Sequence, residues 1–297
     1  MANLIDIRRR IRSVKNTQQI TKAMKMVAAA RLRRSQDKIL ATRPYALEIR
    51  KVIGNLAARA GTAKHPLLAV RPERRVLLVV VSGDKGLAGS FNANVLRRAQ
   101  ESIAALTGAP TRGGESTNTV DLLLLGKRGA DFFRRRSLPT RKAYTSLFTN
   151  VTYAQAQEIA TDIAAAYAEG TYDSVRVVYN QFKSMIAQEL TEETLLPLQA
   201  PRGETVEGGV PRQYLFEPKA EEILAELLPR YLTFQIYRVL LESQAAEHAA
   251  RMTAMDSATK NASEMIERLT LKYNRARQAA ITTQLIEVVS GANALEG

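Results

Sequence analysis

One stretch of the chain decides its fold. Residues 230–290 read RYLTFQIYRVLLESQAAEHAARMTAMDSATKNASEMIERLTLKYNRARQAAITTQLIEVVS, with neither glycine nor proline among them. Pro229 precedes this stretch and Gly291 follows it. Because glycine and proline are the residues that most strongly disfavour helix interiors, their absence over such a length predicts one very long helix. At 1.5 Å of rise per residue, the helix would extend about 90 Å, which no compact domain of this size can bury.

The same stretch contains a regular apolar stripe. Its members follow alternating steps of four and three residues: Leu241, Ala245, His248, Met252, Met255, Thr259, Ala262, Ile266, Leu269, Tyr273, Ala276, Ala280 and Thr283. This 3.5-residue repeat is typical of a coiled-coil seam. Alanine and threonine predominate, so a partner helix can approach closely, and His248 and Thr259 are polar members suited to fixing the register.

The N-terminal segment has similar properties. Residues 1–43 also lack glycine and proline, and Pro44 is the first of either. Shorter pieces of an apolar stripe occur here: Ile7, Ile11, Val14, Ile20, Met24, Val27, Leu32 and Ile39. Two long helices at opposite ends of one chain, each with a narrow stripe, most simply pair as an antiparallel coiled coil. Self-dimerisation is the alternative.

The middle of the chain alternates between strand and helix patterns. Continuous apolar runs at Arg75–Val81, Val120–Leu125 and Ser174–Tyr179 are typical of strands buried on both faces. Helical spacing separates them at 92–106, 130–136 and 153–169. This alternation predicts a Rossmann-like α/β domain with a parallel sheet. We therefore expect an α/β protein with an N-terminal coiled-coil helix (1–59), a central domain (60–218) and a C-terminal coiled-coil helix (219–297).

Composition excludes several kinds of chemistry. The chain has 297 residues and no cysteine, which excludes disulfides and thiolate metal sites. Its two histidines lie far apart in the sequence, which disfavours a Ser–His–Asp triad. No signal peptide and no membrane-spanning run is expected. Most of the net charge of +14 lies in residues 1–43, which hold twelve Lys and Arg against two Asp. Such an arm is either a solvated helix face or a nucleic-acid contact. Proteins that bind single-stranded nucleic acid usually interleave basic with aromatic residues, and this arm has no aromatic residue, which weakens the second reading.

The candidate phosphate loops do not fit their motifs. A Walker loop needs Gly, four residues and then Gly-Lys-Ser/Thr, whereas Gly83 and Gly89 are separated by five residues and Ser90 follows without a lysine. Gly126-Lys127 is followed by arginine. The segment Ser82–Ser90 therefore favours a structural turn over nucleotide binding. Adjacent carboxylates, such as Glu192-Glu193, do not converge on one point, so we expect no catalytic site, no metal and no cofactor.

Long blocks of the sequence resemble one known family. Residues 7–36 read IRRRIRSVKNTQQITKAMKMVAAARLRRSQ, and residues 257–295 read SATKNASEMIERLTLKYNRARQAAITTQLIEVVSGANAL. Between them stand DKGLAGSFN (84–92), GKRGADFF (126–133), YNQFKSMIAQ (179–188) and YLFEP (214–218). In this order, over nearly the whole chain, they closely resemble the gamma subunits of bacterial F-type ATP synthases.

The resemblance implies a function and a set of partners. A gamma subunit is the central shaft of the motor: it enters a hexamer of alpha and beta subunits and binds epsilon and the membrane c ring below. Proton flow turns the ring and the shaft. The turning shaft drives the catalytic sites through their cycle, and those sites belong to other subunits. One copy per complex, at the cytoplasmic face of the bacterial inner membrane, is implied, without nucleic acid or a small-molecule substrate.

The resemblance also implies contact residues. Contacts with alpha and beta are expected at seven positions: Met24, Lys25, Glu247, Arg251, Arg275, Gln278 and Thr282. Arg251 can bind a carboxylate of beta in bidentate fashion. Tyr214 is expected to contact epsilon and the c ring. Ala88 stands where family members often carry a cysteine. The regulatory cysteine pair of chloroplast relatives cannot exist in a chain without cysteine, so thiol regulation is excluded. The segment Gly108–Thr119 matches no family motif.

Overall fold

The computed structural model describes residues 4–60, 65–108, 118–136, 138–185, 187–198 and 220–296. Tyr214, most of the Gly108–Thr119 segment and residues 201–211 lie outside the described residues. The chain divides into two compact units. We call residues 30–250 the central unit, and residues 1–29 together with 251–297 the terminal unit. The domain bounds expected from the sequence remain a prediction.

The described residues form five α-helices and one five-stranded sheet. The helices are α1 (Leu4–Ala60), α2 (Phe91–Thr107), α3 (Lys127–Arg134), α4 (Tyr153–Ala168) and α5 (Ala220–Glu296). The strands are β1 (Arg75–Val81), β2 (Thr119–Leu125), β3 (Thr140–Tyr144), β4 (Ser174–Phe182) and β5 (Gln188–Leu196). Single 3-10 turns occur at Pro66–Leu68 and Leu147–Thr149. Helix α5 has 77 residues and includes Pro229 and Gly291, so it is longer than the breaker-free stretch predicted.

The terminal unit consists of paired stretches of α1 and α5. Among the described residues, side-chain hydrogen bonds join them from Gln18 to Ser263 at 2.7 Å, between Thr21 and Thr259 at 2.8 Å, and from Lys25 to Asp256 at 2.6 Å. As the residue number rises along α1, the number of its partner on α5 falls. The two helices are therefore antiparallel within this unit, as the sequence predicts.

The α1 side of this seam differs from the predicted stripe. Ile20 and Val27 are 59% and 53% exposed, so their placement in the stripe is wrong. Seven buried or half-buried residues follow an unbroken heptad: Ile7, Ile11, Val14, Gln18, Thr21, Lys25 and Ala28. Leu4, Met24 and Ala29 beside them are also half-buried. The polar members were missed because the prediction followed hydrophobicity, whereas polar side chains here find hydrogen-bond partners across the seam.

The central unit contains a second antiparallel contact between α1 and α5. Leu32 packs against Ala245 and Ala249 in one buried cluster. Ser35 and Gln244 approach within 3.1 Å between their side-chain oxygens. The small alanine side chains allow the two helix backbones to lie close together, which agrees with the alanine-rich seam seen in the sequence.

The sheet of the central unit has the strand order β3-β2-β1-β4-β5. Strands β1 to β4 run parallel to one another, and β5 is antiparallel to β4. Side chains of β1 alternate between two hydrophobic clusters. Leu77, Val79 and Val81 pack with residues of α1, α4 and α5, and Val76, Leu78 and Val80 pack with residues of α2 and α3. Burial on both faces explains why β1 is apolar at every position after Arg75.

The two edge strands, β3 and β5, were not predicted from the sequence. Strand β3 reads TRKAY and β5 reads QELTEETLL, and neither has a run of apolar residues or a clean alternation. An edge strand exposes its outer side to solvent, and charged side chains there prevent pairing with other chains. Hydrophobic periodicity therefore identifies the central strands but does not identify the edge strands.

Among the residues described, no helix has a stretch apolar and long enough to span a bilayer.

An ion pair ties β3 to α4, and it leads to a prediction about pH. Arg141 donates two hydrogen bonds to Asp162, at 2.8 and 3.3 Å. This pairing lowers the pKa of the Asp162 carboxyl below its ordinary value. Because the pKa is lower in the folded chain than in the unfolded one, the stabilisation is present above about pH 4 and is lost as pH falls through the folded pKa.

We expect Asp162→Asn to lower the free energy of unfolding by about 1 kcal/mol at pH 7 and by much less near pH 3. Urea unfolding of the full chain at several pH values measures this. Glu158→Gln is the matched control, because Glu158 pairs with Lys142 between the same helix and strand but at a more exposed position. A loss for Asp162→Asn that does not change with pH would contradict the assignment.

Candidate functional site

The predicted contact residue Lys25 lies in the terminal unit and is engaged by its own chain. Its ammonium group is 2.6 Å from the Asp256 carboxylate, which also pairs with the ammonium group of Lys260 at 3.0 Å. The hydrogen bond from Lys25 lowers the pKa of the Asp256 carboxyl. About two fifths of the Lys25 side chain remains exposed, so the same group can meet a second acidic partner. Met24, its neighbour, is half-buried.

Three further predicted contact residues lie together on the exposed surface of α5. Arg275, Gln278 and Thr282 are all exposed, and the Thr282 hydroxyl donates to the Gln278 carbonyl at 3.0 Å. Beyond them, α5 displays apolar side chains. Leu285, Ile286, Val288 and Val289 are each more than half exposed. A helix end with this much uncovered apolar surface is typical of an interaction site.

Glu247 occupies a different environment from the other predicted contact residues. It is only 3% exposed, in the central unit. Its carboxyl group packs so closely on Gly83 that a Cβ atom there would lie 3.0 Å away. In this chain alone Glu247 is therefore a buried residue, and sequence reasoning gave no sign of this. Arg251 is half-buried in the terminal unit, and the role of both at an interface stays a prediction.

The Gly-rich loop after β1 forms a closed structural turn. The Ser82 hydroxyl accepts a hydrogen bond from the Gly129 amide at 2.8 Å, and the Asn92 side chain accepts one from the Gly83 amide at 2.8 Å. The Asp84 carboxylate accepts amide hydrogen bonds from Lys127, Ser146 and Phe148 at 2.9 to 3.0 Å.

This arrangement bears on phosphate binding. Phosphate loops bind anions through free amide groups and a positive helix N-terminus. Here Lys127 begins α3, and the loop supplies its own anion, Asp84, to that terminus. The structural turn favoured by the sequence thus has a direct physical basis. In the described part of the chain, no group of three or more potential metal ligands was found.

The sequence matches one family model from residue 3 to residue 295, and that model is described as ATP synthase. The chain is 48% identical to the ATP synthase gamma chain of Chlorobium phaeobacteroides (strain BS1), with both chains fully covered. It is 47% identical, over the full length of both chains, to the gamma chain of Desulfitobacterium hafniense (strain DSM 10664 / DCB-2). The chain belongs to the ATP synthase gamma chain family.

Solved structures agree with this family. A chain from the central stalk and c ring of the Tetrahymena thermophila mitochondrial ATP synthase matches with a TM-score of 0.59 and 28% identity, covering 80% of this chain and 99% of that one. A chain of the Euglena gracilis mitochondrial ATP synthase gives a TM-score of 0.68 at 18% identity, covering 98% and 94%. At that identity the second match shows the shared fold, in which long terminal helices accompany a central sheet.

A partly buried polar cluster of this gamma chain was missed from the sequence. Arg238 of α5 binds Glu193 of β5, and it donates to the Tyr179 hydroxyl of β4 at 3.0 Å. Glu242, one helical turn further on, lies 3.5 Å from the same guanidinium group. An i, i+4 Arg–Glu pair on a helix usually indicates a solvated face, so the sequence carried no signal that these charges pack against the sheet and are partly buried.

The Asp84 carboxylate supports a stability prediction. Asp84→Ala leaves three backbone amides without their acceptor, and we expect a loss of about 2 kcal/mol in the free energy of unfolding. Asp84→Asn keeps one acceptor oxygen and should cost less. Denaturant unfolding of the full chain measures both. Lys85→Ala is the control, because Lys85 is the exposed neighbour and contributes only its carbonyl to the loop. Equal losses for Ala and Asn would contradict the acceptor role.

Proposed function

We propose that this chain is the central rotor-stalk subunit of an F-type ATP synthase. It couples proton flow through a membrane c ring to ATP synthesis or hydrolysis in a hexamer of alpha and beta subunits. It has no catalytic site of its own, and one copy serves each complex. The full-length identity of nearly half to ATP synthase gamma chains carries this proposal.

The geometry of the chain is suited to a shaft. Helices of 57 and 77 residues provide a long element, and the antiparallel pairing in each unit buries small side chains that let the helices pack closely. The exposed apolar residues at the end of α5 fit a rotating contact. Fixed ion pairs would each favour one angle, whereas apolar contacts have little directional preference.

The contacts with alpha and beta are proposed at the residues expected from the family. These are Met24, Lys25, Glu247, Arg251, Arg275, Gln278 and Thr282. The basic residues of 1–43 would then face acidic protein loops rather than nucleic acid. Tyr214 is proposed to contact epsilon and the c ring, which would hold the chain peripherally at the cytoplasmic face of the bacterial inner membrane.

Reconstitution tests the proposed function. Membrane vesicles that contain the other subunits but lack gamma should regain ATP synthesis driven by a proton gradient when this chain is added during assembly. The purified chain should not hydrolyse ATP. Robust hydrolysis by the chain alone, or full coupling in its absence, would overturn the proposal.

Arg251→Ala refines the same experiment. We expect it to reduce proton-driven synthesis while the chain still assembles, because a bidentate contact with a carboxylate is lost. Arg277→Ala is the matched control, since Arg277 is an exposed arginine of the same helix outside the proposed contact set. Equal synthesis by the two variants would remove Arg251 from the interface.

Nucleic-acid binding through residues 1–43 has no support beyond charge. The relatives named above are chains of ATP synthase, and none of those is named for binding DNA or RNA.

A further inference from the structure

Gln244 joins three elements of the central unit. Its side-chain oxygen lies 3.1 Å from the Ser35 hydroxyl of α1, and its side-chain nitrogen donates to the Phe148 carbonyl at 3.0 Å. Phe148 belongs to the turn whose amides bind Asp84. Gln244 and Ser35 are both buried, with exposed fractions of 5% and 3%. One amide thus links both long helices to the loops at the end of the sheet.

Arg238 forms a second link between α5 and the sheet. Each of its three guanidinium nitrogens has a partner: Nε donates to Gln235 at 2.9 Å, Nη1 to Tyr179, and Nη2 to Glu193. Tyr179 lies on β4 and Glu193 on β5, so the planar fork fixes α5 against two strands at once.

The cluster around Arg238 has an electrostatic cost. Burial raises the pKa of the Glu242 carboxyl above its ordinary value, although the nearby Arg238 acts to lower it. Burial likewise raises the pKa of the Tyr179 hydroxyl. An apolar replacement of similar volume is often neutral or stabilising at such positions, so net stability is a weak explanation for these charges. Directional hydrogen bonding is the alternative reason for these partly buried charges to be present.

The two links hold α5 at separate positions around its axis. Gln244 lies six positions after Arg238, which places the two residues about 9 Å apart along the helix and about 120° apart around it. The remaining contacts of this part of α5 are largely apolar, through residues such as Leu232, Leu240 and Leu241. Apolar packing is non-directional, whereas hydrogen bonds weaken steeply when their angles change. Rotation of α5 about its own axis would break both links.

We propose that Arg238 and Gln244 form a rotational lock that holds α5 at one angle against the α/β sheet and so transmits torque through the gamma chain. The inference rests on the proposed rotor function. Both are positioning residues: they act through the helix and do not contact a substrate. Loss of either link should lower the torsional stiffness of the connection between the sheet and α5, while the complex still assembles.

The test measures torsional stiffness in the assembled complex. The chain has no cysteine, so Glu169→Cys at an exposed site beyond the end of α4 provides a single attachment point for a rotation probe. With the alpha/beta hexamer immobilised, the mean-square angular fluctuation of the probe during catalytic pauses reports the stiffness between sheet and hexamer. Gln244→Leu and Arg238→Met are introduced separately into the labelled chain.

We expect each variant to raise the mean-square fluctuation about twofold or more, because one of two anchors is lost. Arg98→Met is the matched control. Arg98 also pairs with a carboxylate of β5, Glu192 at 3.1 Å, but it lies on α2 and should leave the fluctuation unchanged. Only rotating molecules are scored, so a fraction that fails to assemble does not affect the measurement.

Unchanged fluctuation in Gln244→Leu overturns the lock, and so does an equal increase in Arg98→Met. If Arg238→Met yields no rotating molecules, Gln244→Leu decides alone. Failure of the proposed rotor function has a different signature, because the labelled chain with no further substitution would then show no rotation during ATP hydrolysis.

Discussion

Gly126→Ala is expected to destabilise the native structure of the α/β domain severely. Gly126 follows β2 with φ of 105° and ψ of 144°, a backbone conformation that is essentially restricted to glycine. A Cβ atom at this position would lie 1.9 Å from the Ser82 carbonyl oxygen, which is backbone of the neighbouring strand end. The hydrogen bond from the Ser82 amide to the Leu125 carbonyl holds the end of this strand in place and limits how far the adjacent carbonyl can shift.

The expected loss combines backbone strain and overpacking, about 4 kcal/mol in total, which is a large part of the stability of a typical domain. Denaturant unfolding of the full chain, followed by far-UV circular dichroism, measures it. Gly170→Ala is the matched control, because Gly170 also has a positive φ of 75° but its nearest neighbour is an arginine nitrogen at 3.7 Å. We expect about 1 kcal/mol there. Similar losses at the two glycines would show that the close approach to Ser82 does not matter.

Leu32→Asp is expected to disrupt the contact between α1 and α5 in the central unit. Leu32 is 2% exposed and packs against Ala245 and Ala249. An aspartate at this position places a carboxylate among apolar side chains, which costs several kcal/mol or forces the helices apart. The small alanines opposite offer no hydrogen-bond donor from their side chains.

Leu40→Asp is the control for this substitution. Leu40 lies on the same helix, eight residues further on, and is 55% exposed. We expect Leu32→Asp to lower the free energy of unfolding by about 3 kcal/mol or more and Leu40→Asp by less than about 0.5 kcal/mol. Thermal unfolding of the purified full chains gives both values. A loss at Leu40 as large as that at Leu32 would contradict the observed seam.

The sequence predicted the two long helices and the three central strands well. Strand β1 begins at Arg75 and ends at Val81, at the bounds that its apolar run predicts. Such runs are informative because a strand buried on both faces has no polar positions to interrupt it. The edge strands β3 and β5 carry charged residues such as Arg141 and Glu192, and no local pattern distinguishes them from loops.

The seam of the coiled coil was predicted less well on α1 than on α5. Polar residues Gln18, Thr21 and Lys25 occupy heptad positions, and their partners lie more than 230 residues away. Their burial depends on those partners, so hydrophobicity alone selected Ile20 and Val27 instead. The same limit applies to Arg238, Gln244 and Asp84, whose roles depend on groups that only the fold brings near.

Rotation of a single labelled complex is the most direct test of the rotor function. The probe is attached through Glu169→Cys, and the alpha/beta hexamer is immobilised. During ATP hydrolysis we expect the probe to turn in one direction, pausing at three equally spaced angles that correspond to the three catalytic sites. Sustained ATP hydrolysis by complexes whose probe stays at one angle would contradict the role of this gamma chain as the rotating shaft.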